Sequence, residues 1–134
     1  MQQSIIVKCA AAIVREKSLL LTRKQGTTTF ISPGGKPLPG EAYLDCLARE
    51  VREELDVAIQ APSFLGIFYG VSAFEDTPIH MHVYLTDIVG TPRASMEIEE
   101  IMWYRPGLGK PGLTIGSVFA NAVIPLLIKE KLIG

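Results

Sequence analysis

A stiff loop followed at once by a strongly acidic segment is the feature that most constrains this chain. Residues 34–57 read GGKPLPGEAYLDCLAREVREELDV. Pro37 and Pro39 restrict the backbone of the loop, whereas Gly34 and Gly35 let the backbone approach a ligand closely. The sequence therefore predicts a rigid loop with accessible backbone groups directly before a run of carboxylates.

The acidic segment, residues 41–55, has the periodicity of an amphipathic helix. Its apolar residues recur at three- and four-residue steps, which places them on one face. An acid at Glu41 suits the positive end of the helix dipole, so we expect the helix to begin at Gly40 and Glu41. The predicted core face consists of Leu44, Leu47, Ala48, Val51 and Leu55.

Short apolar runs on both sides of this helix predict strands. Residues 4–15 and 18–23 should form an antiparallel pair, because Glu16 and Lys17 between them are typical of a turn. The order strands, helix, strands, helix predicts an α/β or α+β layer fold, in which a mixed β-sheet is covered by helices. The other expected elements are strands at residues 30–31, 64–71, 80–89 and 101–104 and a closing helix at residues 116–132.

Length and charge exclude several classes of function. The 134 residues suit one domain, so residues 1–134 are expected to form a single unit with its own core. With 13 basic and 14 acidic residues, the net charge of −1 argues against a nucleic-acid polymer as partner. The N-terminus lacks the pattern of a signal peptide, and glycine and proline interrupt the uncharged stretches, so we expect a cytoplasmic protein outside the membrane.

Cys9 and Cys46 are the two cysteines of the chain. Their spacing is not that of a zinc site. Buried free thiols in a reducing compartment are the favoured interpretation, and a single disulfide is the alternative.

Glu50, Glu53 and Glu54 concentrate negative charge on the predicted helix. Glu50 precedes Glu53 by three residues and Glu54 by four, so the three side chains should point the same way. Each like-charge pair costs roughly a few tenths of a kcal/mol. Arg49 and Arg52 offset part of this repulsion, and a hard cation such as Mg²⁺ would offset more of it. A solvated helix face with Arg–Glu pairs is the alternative.

The spacing of these residues resembles the Nudix box, in which Gly, five residues, Glu and seven residues precede Arg-Glu-apolar-x-Glu-Glu-x-Gly-apolar. Asp56 stands where the family has Gly, but Asp tolerates the left-handed backbone that is common after a helix end. The arrangement of strands and helices is also similar to the Nudix-type α/β/α sandwich over nearly the whole chain. The matching residues are Gly35, Glu41, Arg49, Glu50, Val51, Glu53, Glu54 and Val57.

The resemblance implies a hydrolase that cleaves a nucleoside diphosphate linked to another group, with Mg²⁺, or alternatively Mn²⁺, as cofactor. It places the metal on Glu50, Glu53 and Glu54, with the carbonyl of Gly34 as a further ligand. Glu50 and Glu53 are therefore catalytic candidates as well as ligands. By the same resemblance, Gly35, Glu41 and Arg49 would hold the loop and helix in place.

A second acidic segment, residues 97–103, resembles the Glu-x-x-Glu-x-x-Trp segment that often follows the box in this family. There a glutamate reaches back to a metal or activates water. Glu97 is the first candidate for that role and Glu100 the second, and the family leaves open whether Glu53 or Glu97 accepts the proton. A solvated acidic turn before a strand is the alternative for this segment.

The substrate is suggested only by likeness to small MutT-like members, which convert nucleoside triphosphates to a monophosphate and pyrophosphate. Arg23 lies on the strand before the loop, where such enzymes place an arginine near the substrate. Asn121 resembles the asparagine that reads a purine base, and a buried Asn in an apolar helix needs partners. Arg23, Asn121 and Glu100 are therefore the substrate-binding candidates. A surface charge at position 23 and an Asn bonded to neighbouring backbone are the alternatives.

Three functions remain open from the sequence. The leading hypothesis is a pyrophosphohydrolase of a nucleoside triphosphate, modified or not. The same chemistry would serve ADP-ribose or a nucleotide-sugar, and a catalytically silent nucleotide-binding domain is a different class. The expected partner is a small nucleotide, and the chain could be a monomer or a homodimer. Retention of Glu50, Glu53 and Glu54 together argues against the silent domain, which has no need of three repelling acids.

Overall fold

A computed structural model describes residues 4–71, 76–107 and 112–134. The strands are short apart from three long ones, and one long helix follows the glycine loop. The elements in chain order are β1 (Ile6–Arg15), β2 (Ser18–Lys24), β3 (Thr29–Ile31), β4 (Gly34–Gly35), α1 (Tyr43–Leu55), β5 (Ala58–Val71), β6 (Pro78–Val89), β7 (Ile98–Tyr104), β8 (Thr114–Ile115), a π-helical turn (Phe119–Val123) and α2 (Ile124–Lys129).

The strands form a mixed sheet in the order β5-β6-β1-β2-β3-β8, with β4 on β1 and β7 on β2. Strands β1 and β6 run parallel, as do β3 and β8, and the other pairs are antiparallel. The predicted mixed sheet is confirmed. The predicted β1–β2 turn is also confirmed, since Glu16 and Lys17 both have left-handed backbone and Val14 pairs with Leu19.

Strand β1 separates the two layers of the core, because alternate side chains of a strand point to opposite faces. Its odd-numbered residues Cys9, Ala11 and Ile13 pack with α1. Its even-numbered residues Ala10 and Ala12 pack with the C-terminal helical segment. The α/β/α layering predicted from the sequence is therefore present. The buried residues from the helical elements are Cys46, Leu47, Val51 and Leu55 on one side and Phe119, Val123, Ile124 and Leu127 on the other.

The face of α1 differs from the prediction at its start. The helix begins at Tyr43 with Ala42 as N-cap, rather than at Gly40 and Glu41. Leu44 is 43% exposed, so its assignment to the core was wrong. The buried stripe instead begins at Cys46 and Leu47 and continues at three- and four-residue steps along the helix.

Both cysteines and the C-terminal helix lie close to their predicted environments. Cys9 and Cys46 are both buried and free, which confirms the prediction of two buried free thiols. The predicted closing helix is present, but its first half is a π-helical turn. No helix in the described ranges is long and apolar enough to cross a membrane.

Candidate active site

The glycine loop is fixed between β1 and α1. Gly34 pairs with Ala10 through β4, and its backbone has φ +145°. A Cβ at Gly34 would lie 2.0 Å from the carbonyl oxygen of Cys9, so a side chain at this position is excluded. The amide of Gly34 donates a hydrogen bond to Oε1 of Glu54 at 2.8 Å. The loop therefore meets the helix through the backbone of a residue that must be glycine.

Glu54 is a buried carboxylate, with 2% of the residue exposed. Its Oε2 atom is buried and lacks a hydrogen-bond partner within the part of the chain that the structure describes. Burial is the main cause that raises the pKa of Glu54 to about 8, and the charges of Glu50 and Glu97 contribute to the rise. The hydrogen bond from the Gly34 amide lowers the pKa and so opposes this effect. A buried carboxylate oxygen without a partner is unusual, and a bound cation would satisfy it.

The three helix acids, predicted to point the same way, differ in burial. Glu54 follows Leu47 and Val51 on the buried stripe of α1, whereas the Glu53 side chain is 45% exposed. Glu50 lies between these extremes, with 15% of its side chain exposed. The reason is that Glu54 lies seven residues after Leu47, which is two helical turns, so it shares the direction of the core residues.

Glu50 lies directly against the loop. A Cβ at Gly35 would be 2.6 Å from its carboxyl carbon, so the missing side chain of Gly35 leaves the space that this carboxylate fills. Nη1 of Arg49 donates a hydrogen bond to Oε1 of Glu50 at 3.0 Å. Burial raises the pKa of Glu50, and the Arg49 guanidinium partly opposes this effect.

Arg49 and Glu41 join the end of the loop to the helix. Nε and Nη2 of Arg49 donate to the two carboxylate oxygens of Glu41, each at 2.9 Å. The Leu38 amide donates to the same carboxylate at 3.0 Å. The hydrogen bonds from Arg49 and then from Leu38 lower the pKa of Glu41 to about 2. The proline-rich loop thus has a fixed geometry relative to the helix that carries Glu50.

Glu97 lies near enough to the helix acids for its charge to act on them. Its negative charge is among the influences that raise the pKa of Glu50 and of Glu54, after burial as the main cause. The Glu97 side chain is 60% exposed and lies 3.5 Å from Nζ of Lys24. The charge of Glu97 thus acts on two of the predicted metal ligands, although among the described residues the three carboxylates do not form a metal-binding cluster. Lys24 was missed in the sequence, where its only signal was its place beside Arg23.

Glu100 and Arg23 form a separate pair. Nε of Arg23 lies 3.1 Å from Oε1 of Glu100, and Nη1 donates to the Thr27 carbonyl at 2.9 Å. The register of β2 on β7 shifts between Arg23 and Lys24, so that Arg23 pairs with Glu100 and Lys24 pairs with Ile98. This bulge separates the Arg23–Glu100 pair from the Lys24–Glu97 pair.

The donors of the predicted metal site have the chemistry of a Mg²⁺ site, since hard cations prefer carboxylate and carbonyl oxygens. Within residues 4–71, 76–107 and 112–134, no three carboxylate, imidazole or thiol groups form a ready cluster for a metal ion. The carboxylates of Glu50 and Glu54 are bonded to Arg49 and Gly34. The unpartnered Oε2 of Glu54 and the Glu50 carboxylate at the loop therefore fit the cation, although the predicted ligands are not gathered around one point.

An open cleft adjoins the loop on the face of the sheet opposite α1. Gly34 and Gly35 form part of its lining and so connect it to the helix acids. The hydroxyl of Ser117 donates to the Val71 carbonyl at 3.0 Å and links the end of β5 to the C-terminal helical segment. The other lining residues include Lys8, Ala10, Ile31, Ser32, Ile79, Met81, Val118 and Phe119.

Asn121 lies outside the lining of this cleft. It is exposed on the π-helical turn, while Phe119 and Val123 of the same turn are buried. The expectation that Asn121 is buried was wrong, because the turn directs the apolar side chains to the sheet. Its role toward a base remains a prediction.

Comparison with known proteins gives consistent matches. The family model described as NUDIX domain matches residues 6–112. A MutT NUDIX hydrolase from Burkholderia pseudomallei is 28% identical, with TM-score 0.71 over 84% of this chain and 92% of that one. The E. coli ORF135 protein is 27% identical, with TM-score 0.70 over 96% and 90%. A MutT protein from Methanosarcina mazei Go1 is 24% identical and shares the fold, with TM-score 0.76 over 98% and 99%.

Proposed function

The chain belongs to the Nudix family, whose members hydrolyse nucleoside diphosphate derivatives, and from this premise we propose that it is a Mg²⁺-dependent pyrophosphohydrolase of nucleoside triphosphates. The products would be a nucleoside monophosphate and pyrophosphate. The similarity to the MutT NUDIX hydrolase from Burkholderia pseudomallei supports this choice among nucleotide substrates.

The observation that carries the proposal is the buried carboxylate of Glu54 at the glycine loop. One oxygen accepts the Gly34 amide, and the other is buried without a partner among the described residues. Glu50 lies against Gly35 in the same loop, and the loop lines the cleft. An unpaired buried oxygen at a loop that also lines a cleft is expected where a cation and an anionic substrate bind together.

Each acid has a separate proposed task. Glu50, Glu53 and Glu54 would hold Mg²⁺, or Mn²⁺ in its place, with the Gly34 carbonyl as a further ligand. When bound, the ion would supply positive charge to offset the negative charge on the phosphoryl oxygens during attack by water. Glu97 would accept the proton from that water, because it is exposed to solvent and lies near enough to Glu50 and Glu54 for its charge to raise their pKa. Glu53 is the second candidate for the proton acceptor.

The cleft would hold the nucleoside. Its lining combines apolar groups such as Met81 and Phe119 with the polar side chain of Ser32, which suits a base and a sugar. Arg23, Glu100 and Asn121 remain the proposed substrate contacts beyond the lining. The two buried thiols suit a reducing compartment, which is the reason to propose a cytoplasmic location.

A substrate panel tests the proposal. The purified protein is incubated with Mg²⁺ and nucleoside triphosphates, oxidised dGTP, ADP-ribose, dinucleoside polyphosphates or nucleotide-sugars, and the products are separated by chromatography. Release of pyrophosphate and a monophosphate from a triphosphate is the expected result. Faster turnover of ADP-ribose or a nucleotide-sugar would show that this compound, and not a nucleoside triphosphate, is the substrate class. Absence of turnover on every compound would favour a silent binding domain. Asp45→Asn, an exposed acid on the same helix, serves as the control variant.

A further inference from the structure

Asp56 occupies the position where the Nudix box has glycine. Its backbone is left-handed, with φ 56° and ψ 36°, at the C-cap of α1. Glycine adopts this conformation without strain, so the backbone alone would favour glycine here. The Asp56 carboxylate accepts hydrogen bonds from Nε and Nη2 of Arg93, at 3.0 and 2.7 Å. The Asp56 side chain therefore binds Arg93, which glycine at this position could not do.

Arg93 belongs to a segment that docks on the end of α1. Its amide donates to the carbonyl of Leu55 at 3.0 Å, and the amide of Ser95 donates to the carbonyl of Glu54 at 3.0 Å. We call this set of contacts, with the Asp56–Arg93 ion pair, the clasp. The clasp therefore joins Glu54, whose carboxylate accepts the Gly34 amide, to Ser95, which lies two residues before Glu97.

The other side of Glu97 is also held. Its carbonyl accepts the amide of Gln25 at 2.9 Å, and its carboxylate lies 3.5 Å from Lys24. Ile98 donates from its amide to the Ser95 carbonyl at 3.1 Å, which closes a tight turn around Glu97. The position of Glu97 thus depends on β2 at one end and on the clasp at the other.

We propose that Asp56 is a positioning residue, which acts through Arg93 to hold residues 93–97 against the end of α1 and so sets the position of Glu97 relative to Glu54. The inference rests on the proposed function, because it assigns Glu97 a task in the reaction. The side chains of Arg93 and Asp56 are 77% and 43% exposed. An exposed ion pair adds little to the stability of the whole fold, so its effect should be local to this segment.

The decisive variant is Asp56→Gly, which restores the residue of the box. It relieves the left-handed backbone and removes the carboxylate, so stability and activity should move apart. We expect an unchanged or higher unfolding temperature, a kcat lower by about two- to fivefold, as loss of one exposed ion pair allows, and an unchanged KM. Asp56→Asn and Arg93→Gln should lower kcat to the same extent. The double variant Asp56→Asn, Arg93→Gln should be no slower than either single one.

Amide hydrogen exchange supplies a readout that does not need activity. In Asp56→Asn and Arg93→Gln the amides of Ser95 and Ile98 should exchange faster than in the unaltered protein, while amides in the middle of β1 should not change. Asp45→Asn and Arg105→Gln, exposed residues outside the clasp, are the matched controls.

The outcomes separate the two proposals. Unchanged exchange at Ser95 in the Asp56 and Arg93 variants would overturn the clasp. Faster exchange with an unchanged kcat would overturn the positioning role. If the unaltered protein turns over no nucleotide, the proposed function fails, and exchange then still decides whether the clasp orders the segment.

Discussion

Oε1 of Glu54 accepts the amide of Gly34 at 2.8 Å, so the acidic helix and the glycine loop meet at one hydrogen bond. Charge-assisted hydrogen bonds from backbone amides are stronger than neutral ones. The bond favours the ionised form of a carboxyl group whose pKa burial raises to about 8. The second oxygen, Oε2, has no hydrogen-bond partner among the described residues and stays available for a cation. The site therefore requires the spacing between Gly34 and Glu54.

Replacement of Glu53 by glutamine should lower kcat at least about a hundredfold with the fold intact, because a proposed ligand is lost. The fold should survive since the Glu53 side chain is 45% exposed and its contact with Arg49, at 3.5 Å, is weak. Mg²⁺-dependent pyrophosphate release and the unfolding temperature measure the two effects. Asp45→Asn on the same helix should behave as the unaltered protein. Near-normal turnover of the Glu53 variant would remove this residue from the metal site.

The two loop glycines should respond differently to alanine. At Gly35 the new Cβ meets the end of the Glu50 side chain, which can move, so the variant should fold but need more Mg²⁺ for half-maximal activity. At Gly34 the Cβ meets backbone at 2.0 Å in a left-handed conformation, so the fold should lose roughly 3 kcal/mol or more. Urea unfolding and Mg²⁺ titration of the rate measure these changes. Equal stability of the two variants would contradict the assignment.

Replacement of Glu41 by glutamine should destabilise the protein in a pH-dependent way. Arg49 and the Leu38 amide lower the pKa of Glu41 to about 2, from about 4.5 in the unfolded chain. Because the folded pKa is the lower one, the ionised carboxylate stabilises the fold fully above about pH 4.5. That contribution is lost as the pH falls toward 2. Glu50 and Glu54 titrate in both proteins, so the difference between the variant and the unaltered protein isolates Glu41.

Urea unfolding at pH 7, 5, 4 and 3 measures that difference in the free energy of unfolding. It should be constant from pH 7 to 5 and shrink at pH 4 and 3. Glu130→Gln, an exposed acid after α2, should show no such difference. A gap that widens as the pH falls would show that Glu41 is not held as a carboxylate by Arg49.

Asn121→Ala tests the proposed contact with the base. If Asn121 contacts a purine from its exposed position, the ratio of kcat/KM for purine over pyrimidine triphosphates should fall several-fold, as expected on loss of a hydrogen bond. Stability should change little, since the residue is exposed. Ser117→Ala, at the edge of the cleft, reports on a polar change nearby. An unchanged ratio would remove Asn121 from the substrate contacts.

The layers of the fold could be predicted because their signals are local. The alternation of β1 and the helical period of α1 follow from which residues avoid water, and both appear where the sequence places them. The π-helical turn and the exposure of Leu44 could not be predicted in this way. They depend on which neighbouring elements reach a given side chain, and periodicity contains no information about the ends of a buried stripe.

The candidate site was only partly predictable for a related reason. Fixed spacing identified Glu50, Glu53 and Glu54 as a group, but not that Glu54 is buried while Glu53 is exposed. Burial depends on the sheet beneath the helix, and the apolar stripe was assumed to contain only apolar residues. The Asp56–Arg93 pair joins residues 37 positions apart, so nothing in the local sequence indicates it.

Replacement of Glu97 and replacement of Glu100 by glutamine should change different kinetic constants. Glu97→Gln should lower kcat by about a hundredfold or more if this residue accepts the proton, since general bases contribute about 10²–10⁴-fold. Glu100→Gln should act mainly on KM, because it frees Arg23 from its 3.1 Å contact. Glu99→Gln, an exposed acid between them, is the matched control.

The pH profile distinguishes a base from a structural contact. Because burial raises the pKa of Glu54 to about 8, an acid limb should persist in every variant, and loss of a general base should make this limb of the kcat profile shallower. Loss of a contact with Lys24 should lower the rate equally at all pH values. Steady-state kinetics from pH 5 to 9 with Mg²⁺ in excess measure both. A Glu97 variant whose acid limb is as steep as that of the unaltered protein would transfer the role of base to Glu53, the second candidate.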